Sequence, residues 1–301
     1  MKSMKRILSV VLAVAMMLSV LSISAFALNK TPQYKSYVFF GDSITAAVGI
    51  PGYNELVAAE GTAEGKRVRG SYADLLAAKV GVEDDKYFNE AHSAWRSAEL
   101  RMVLDDTYEG DAVAKAWAAG LFGEGKAYPS REAYMDIIRA EVEQADLITV
   151  AIGSNDMLVN LILNLKIFQQ NYAVILRKLH EINPNARLIS VGYYNPMRDA
   201  KISDSIPINV GHIMDAPLIA MNAYVRTLCA TRSYYNFVPV WNAEVISTSN
   251  LSDFDMTGED FWGKFIIEVH PSEAGHKYIA NNIDSTLQLV TPSSRGIFAF
   301  G

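Results

Sequence analysis

A single cysteine, Cys229, in 301 residues excludes any internal disulfide. It lies in an apolar helical pattern, where a thiol packs as a small hydrophobe. The chain also lacks an H-E-x-x-H sequence and any Cys/His cluster, and its carboxylates are scattered. Resident metal chemistry therefore has no ligand set, and no cofactor is implied. Basic charge is short as well, with 27 Lys and Arg against 33 Asp and Glu. The first 27 residues hold three of the basic residues and no acidic one, so the remainder carries 24 against 33, a net charge of −9. That balance argues against nucleic acid or an anionic membrane as the main partner. Linkers rich in Pro, Gly and Ser, internal repeats and low-complexity runs are missing too. Only the closing "TPSSRGIFAFG" reads as a tail.

One long apolar run is present, Ile7 to Ser24. Lys2, Lys5 and Arg6 precede it, and the small-x-small triplet Ala25-Phe26-Ala27 follows. This order predicts a signal peptide over residues 1–27, with an uncleaved membrane anchor as the other reading. The expectation is a secreted protein with no stable membrane anchor after cleavage. Residues 28–301 then form one domain, large enough to stand on packing without disulfides.

Apolar runs of strand length occur at Tyr37–Phe40, Leu147–Ile152, Leu188–Val191 and Phe237–Val240, with a weaker one at Tyr87–Asn89. Helical periodicity separates them, most clearly at Tyr72–Val80, Arg131–Gln144, Asn171–Ile182, Leu218–Arg232 and Glu273–Leu289. Strands apolar throughout, alternating with amphipathic helices, predict an α/β fold with a mostly parallel sheet covered on both faces. Ligands in such folds bind at the carboxyl ends of the strands. "GDS", Gly41 to Ser43, follows the first run directly, and "GSND", Gly153 to Asp156, follows "LITVAI". Three segments, Ile44–Gly70, Asp105–Ser130 and Asn195–Pro217, exceed what a compact fold needs and are candidate pocket walls or a lid.

A serine at a strand end becomes a nucleophile only with a base to take its proton and donors to receive the oxyanion. Of the five histidines, His270 enters just ahead of a helix in "EVHPSEAGHKYIA", with Pro271 and Ser272 shaping that entry. His276 lies inside that helix and reads as packing. His180 falls in an amphipathic helix and His212 in a loop.

Gly41-Asp42-Ser43-Ile44, Gly153-Ser154-Asn155-Asp156 and His270-Pro271, in that order, resemble the SGNH (GDSL) hydrolases. That superfamily of esterases, lipases and carbohydrate deacetylases is built on a flavodoxin-like sheet. The resemblance implies a three-layer sandwich with a central five-stranded sheet, in a single domain with long loop insertions. It implies Ser43 as nucleophile and His270 as general base, with the Ser43 N–H and the Asn155 amide as oxyanion donors. Asp42 and Asp156 are expected to fix turns.

Two positions depart from the family pattern. In "NEAHSAWRSAEL" Ala94 stands where the family has a glycine whose N–H completes the oxyanion hole. Alanine keeps the donor, provided the backbone does not require positive φ. The aspartate expected three residues before His270 is replaced by Ile267. Glu268 is a candidate triad acid, as are Asp253, Asp255 and Asp260, and a Ser-His dyad oriented by a carbonyl is the remaining option. No G-x-S-x-G elbow supports an α/β-hydrolase.

Aromatic residues gather in the presumed site loops: Trp95, Trp117, Phe122, Tyr128, Trp241, Phe261 and Trp262. They can stack on sugars, line an acyl pocket or simply pack. "DAVAKAWAAGLFGEG" reads as a lid or as a helix docked on the body. The expected substrate is a small-molecule, lipid or acylated-carbohydrate ester, cleaved by a carboxylesterase or lipase-like activity. A carbohydrate O-acetylesterase and an inactive glycan- or lipid-binding relative are the alternatives.

Overall fold

The computed structural model describes residues 34–159, 164–196, 201–203, 206–209, 211–241 and 269–289. The expected signal segment lies outside them, as do Asp253, Asp255, Asp260, Phe261, Trp262 and Glu268. The chain divides into two compact units, Tyr34–Ile283 and a second made of both termini. Within the second, the described residues are Asp284–Leu289, the last turns of the helix Glu273–Leu289. No helix among the described residues is long and apolar enough to cross a membrane.

Strands β1 (Tyr37–Gly41), β2 (Tyr87–Ala91), β3 (Leu147–Ala151) and β4 (Arg187–Val191) belong to the main sheet. An antiparallel pair, β5 (Lys201–Ser203) and β6 (Ile206–Asn209), stands apart, and β7 (Tyr235–Val238) completes the main sheet. Its order is β2-β1-β3-β4-β7, and every pairing is parallel. This is the expected five-stranded α/β architecture. β1 is buried along its whole length because it pairs on both sides and is covered on both faces. Its side chains alternate between two cores. Val38 and Phe40 join Ile148 and Val150 in the core under the helices Ser97–Leu104, Arg131–Gln144, Asn164–Ile182 and Asp215–Ala230. On the other face Phe39 meets Tyr72 of the helix Tyr72–Val80, and Tyr72 stacks on His276. Helices on both faces make three layers.

Two strand expectations shift by two residues. β2 continues to Ala91, and its alternating burial explains why its apolar signal was faint. The last strand starts at Tyr235, where Tyr235 pairs with Leu188, and stops before Pro239, which has no N–H to give the ladder.

Candidate active site

The register of the first three strands sets the site. Gly41 pairs with both Ala91 and Ala151, so β1, β2 and β3 end level. Ser43, the His92–Trp95 turn and the Gly153–Asp156 loop therefore leave one carboxyl edge side by side, at strand spacings of about 4.8 Å. The chain winds from β1 to β2 on one side and reaches β3 on the other, so Ser43 lies where the winding reverses.

Gly41 is needed because the next turn folds back onto the strand end. A Cβ there would lie 1.9 Å from the Thr45 Oγ1 and 3.0 Å from the Ala151 carbonyl. The Ala46 N–H closes the turn on the Asp42 carbonyl at 2.9 Å, and the Ile44 N–H donates to the Asp42 Oδ1 at 3.0 Å. Asp42 is thus the expected Asx-type turn former. Its Oδ2 is buried with no partner among the described residues. Burial pushes this carboxyl up to about 7, over the opposing pull of the Ile44 N–H, and the Asp156 charge adds to the rise.

At the end of β2 the Trp95 N–H donates to the His92 carbonyl at 3.2 Å, closing a four-residue turn. Ala94 is its third residue and has φ +66°, the region a type II turn requires there and glycine fills best. The backbone does require positive φ, and alanine adopts it. The N–H groups on either side are engaged: Ser93 donates to the Glu64 Oε1 at 3.0 Å and Trp95 to His92. Those of Ala94 and Ser43 donate to no described acceptor.

The β3 loop is stitched to this turn across the end of β1. Asn155 donates one amide hydrogen to the Trp95 carbonyl at 2.8 Å, which leaves its second for another acceptor. The Asp156 N–H closes its own loop on the Gly153 carbonyl at 3.1 Å, while its carboxylate reaches across to the neighbouring loop. It takes the Ser97 N–H at 2.7 Å and the Ser97 hydroxyl at 2.5 Å, joining the two loops over 59 positions of sequence. Burial raises its carboxyl to about 6 despite both donors. Gly153 has φ +128°, and a Cβ there would lie 2.5 Å from the Phe168 ring.

Ser43, Asn155 and His270 line one cavity, together with Ile44, Met157, Pro196, Met214, Leu218 and Val269. Ala94 sits in the adjoining turn and is not among the lining residues. Tyr194 also lines the cavity, and its hydroxyl donates to the Val269 carbonyl at 2.7 Å, tying down the residue before His270. His276 packs as expected: its Nδ1 accepts the Tyr72 N–H at 3.2 Å, and burial, reinforced by the nearby His270 charge, lowers it to about 3.

Of the three long segments, Asn195–Pro217 supplies lining residues and Ile44–Gly70 supplies Ile44. Asp105–Ser130 supplies none. Its helix Ala112–Leu121 is docked on the body, with Trp117 edge-on to Trp95 and the helix-capping Asp111 held bidentately by Arg96 at 2.7 and 2.9 Å. Phe122, Tyr128 and Tyr134 extend that aromatic cluster, so Trp95, Trp117, Phe122 and Tyr128 pack together. Trp241 is exposed. His180 stacks on Tyr234, and His212 pairs with Asp215. Sequence reasoning missed Glu64, His92 and Tyr194, although His92 directly follows a strand at the site edge.

Residues 39–278 match the family described as GDSL-like Lipase/Acylhydrolase. No curated protein matches the chain. Among solved structures, phospholipase A1 from Streptomyces albidoflavus NA297 is similar at 14% identity and a TM-score of 0.51, over 84% of this chain and 99% of that one. The lipase Lip_vut3 from a goat rumen metagenome is 18% identical at 0.47, over 83% and 96%. A carbohydrate esterase family 3 protein from Talaromyces cellulolyticus is 14% identical at 0.44, over 85% and 100%. The likeness to the phospholipase is one of fold.

Proposed function

The chain belongs to the GDSL-like lipase/acylhydrolase family, and from that premise we propose that it is a serine ester hydrolase working through an acyl-enzyme. The observation that carries the reading is the shared cavity of Ser43, Asn155 and His270, brought together from three loops up to 227 positions apart in sequence. In this reading the Ser43 Oγ attacks the ester carbonyl while His270 takes its proton. The resulting oxyanion is held by the N–H groups of Ser43 and Ala94 and by the second amide hydrogen of Asn155. Collapse expels the alcohol, which leaves with the proton from His270. A water, deprotonated by the same ring, then attacks the acyl carbonyl, and Ser43 regains its proton as the acid departs. Glu268, two residues before His270, is the proposed orienting acid.

The apolar walls suit the acyl side of the substrate: Met157, Met214, Leu218 and Val269 offer burial without hydrogen bonds. This favours a carboxylesterase or lipase-like activity on apolar acyl esters over removal of acetyl groups from a sugar. The proposed setting is extracellular, on the strength of residues 1–27. A fluorophosphonate probe is expected to label Ser43. Ser43→Ala is expected to abolish labelling and p-nitrophenyl ester turnover together; labelling that survives this change would remove Ser43 from the mechanism.

A further inference from the structure

We propose that Glu64 is a positioning residue whose carboxylate holds the His92–Trp95 turn so that Ala94 stays in the left-handed conformation its side chain disfavours. The proposal rests on the reading of the Ala94 N–H as an oxyanion donor.

A residue with a Cβ at φ +66° is outweighed roughly ten-fold by its ordinary conformers unless its surroundings impose the geometry. Glu64 supplies that constraint from both of its oxygens. Oε1 accepts the N–H of Ser93, the second residue of the turn, at 3.0 Å. Oε2 faces the Nδ1 of His92, the first residue, at 3.2 Å. The other ring nitrogen of His92 lies 2.9 Å from the Tyr134 hydroxyl, whose own proton goes to the Glu90 Oε2 at 2.6 Å. The two ring nitrogens therefore face Glu64 and Tyr134, and the ring is locked between them. The ring also lies against Trp95, with centroids 4.3 Å apart.

Glu64 is itself anchored. Its neighbour Ala63 is buried with Ala47, Ile50 and Val68 in a small core within the first long segment. Its carboxylate is held below the usual range: burial opposes the charge, but the bonds from His92 and from the Ser93 N–H outweigh it. The segment Ile44–Gly70, which gives the cavity only Ile44, thereby acquires a second task. It grips the turn after β2 at His92 and Ser93, while Asn155 holds the same turn at the Trp95 carbonyl.

The test compares wild type with Glu64→Ala, Glu64→Gln, Ala94→Gly and the Glu64→Ala/Ala94→Gly double variant on p-nitrophenyl butyrate. Glu64→Ala is expected to lower kcat about ten-fold with KM within about two-fold, a fraction of the hundred-fold or greater loss that follows removal of a whole oxyanion donor. Glu64→Gln is expected to lose less, because its amide oxygen still accepts the Ser93 N–H. In the double variant glycine adopts positive φ freely, so kcat should return to within about three-fold of Ala94→Gly alone. A merely structural role for Glu64 would give no such rescue. Unchanged kcat in Glu64→Ala, a loss that Ala94→Gly does not rescue, or a Glu64→Ala crystal structure with Ala94 still at positive φ would each overturn the proposal. A wild type that neither labels with fluorophosphonate nor turns over ester would overturn the hydrolase reading, and the positioning role with it.

Discussion

Replacing Asp42 by Asn should change how stability depends on pH, by an amount the structure lets us work out. The Asp42 side chain is 1% exposed, with one oxygen satisfied by the Ile44 N–H and the other unpartnered. Its carboxyl rises from 3.8 to about 7 on burial. Below pH 3.8 the group is protonated in both folded and unfolded chains, and its contribution is fully present. Between 3.8 and about 7 the unfolded chain ionises while the folded one holds its proton. Stability must therefore fall as pH rises through that window. At 1.36 kcal/mol for each pH unit, the loss is about 4 kcal/mol. Asparagine keeps an oxygen for the Ile44 N–H and never ionises, so the variant lacks this fall. Its amide nitrogen has no acceptor and costs ~1–3 kcal/mol, equally at every pH. Asp156 titrates in both proteins and cancels in the comparison. Urea unfolding of wild type and Asp42→Asn at several values from pH 4 to pH 8 reads the difference directly. The variant should gain about 4 kcal/mol on wild type across that range. Parallel profiles would show that Asp42 is charged in the folded protein at neutral pH, and the burial argument would fail.

Asn155→Ala should lower kcat roughly 100- to 1,000-fold with little change in KM, since it removes a donor aimed at the transition state and frees the Trp95 carbonyl. Steady-state kinetics on p-nitrophenyl esters check this. Gly153→Ala should destabilise the fold by about 3 kcal/mol or more, because φ +128° is strained for alanine and the new Cβ meets the Phe168 ring at 2.5 Å. The urea midpoint reports it. Tyr194→Phe deletes the hydroxyl that holds the Val269 carbonyl and should cost roughly 2- to 10-fold in kcat at an almost unchanged melting temperature.

Much of the scaffold could be read from residue order, because buried parallel strands and amphipathic helices carry their own periodicity. β1, β3 and β4 are mostly apolar and almost wholly buried for the same reason that they are central. β2 was faint since it is an edge strand with alternating burial, and "YNFV" was misread by two residues because Asn236 interrupts its apolar run. Ser43, Asn155 and His270 were visible as polar residues placed where strands end or a helix begins. Their supports were not. Glu64 reaches Ser93 over 29 positions, Asp156 reaches Ser97 over 59, and Tyr194 reaches Val269 over 75. Such pairings leave no local pattern, since any carboxylate or hydroxyl in a polar loop looks the same until the chain has folded. The choice between lid and docked helix for "DAVAKAWAAGLFGEG" stayed open in the sequence on similar grounds: contacts such as the Arg96–Asp111 pair and the Trp95–Trp117 packing, which place the helix on the body, leave no local pattern.

The level pairing of Gly41 with Ala91 and Ala151 makes hydrogen-bond alignment between strands a determinant of chemistry. One residue added to β3 would push Asn155 about 3.3 Å along the strand axis relative to Ser43 and turn alternate side chains to the wrong layer. Strand lengths at the centre of this sheet are therefore far less free to drift than the segments bordering the cavity, where insertions leave the nucleophile in place.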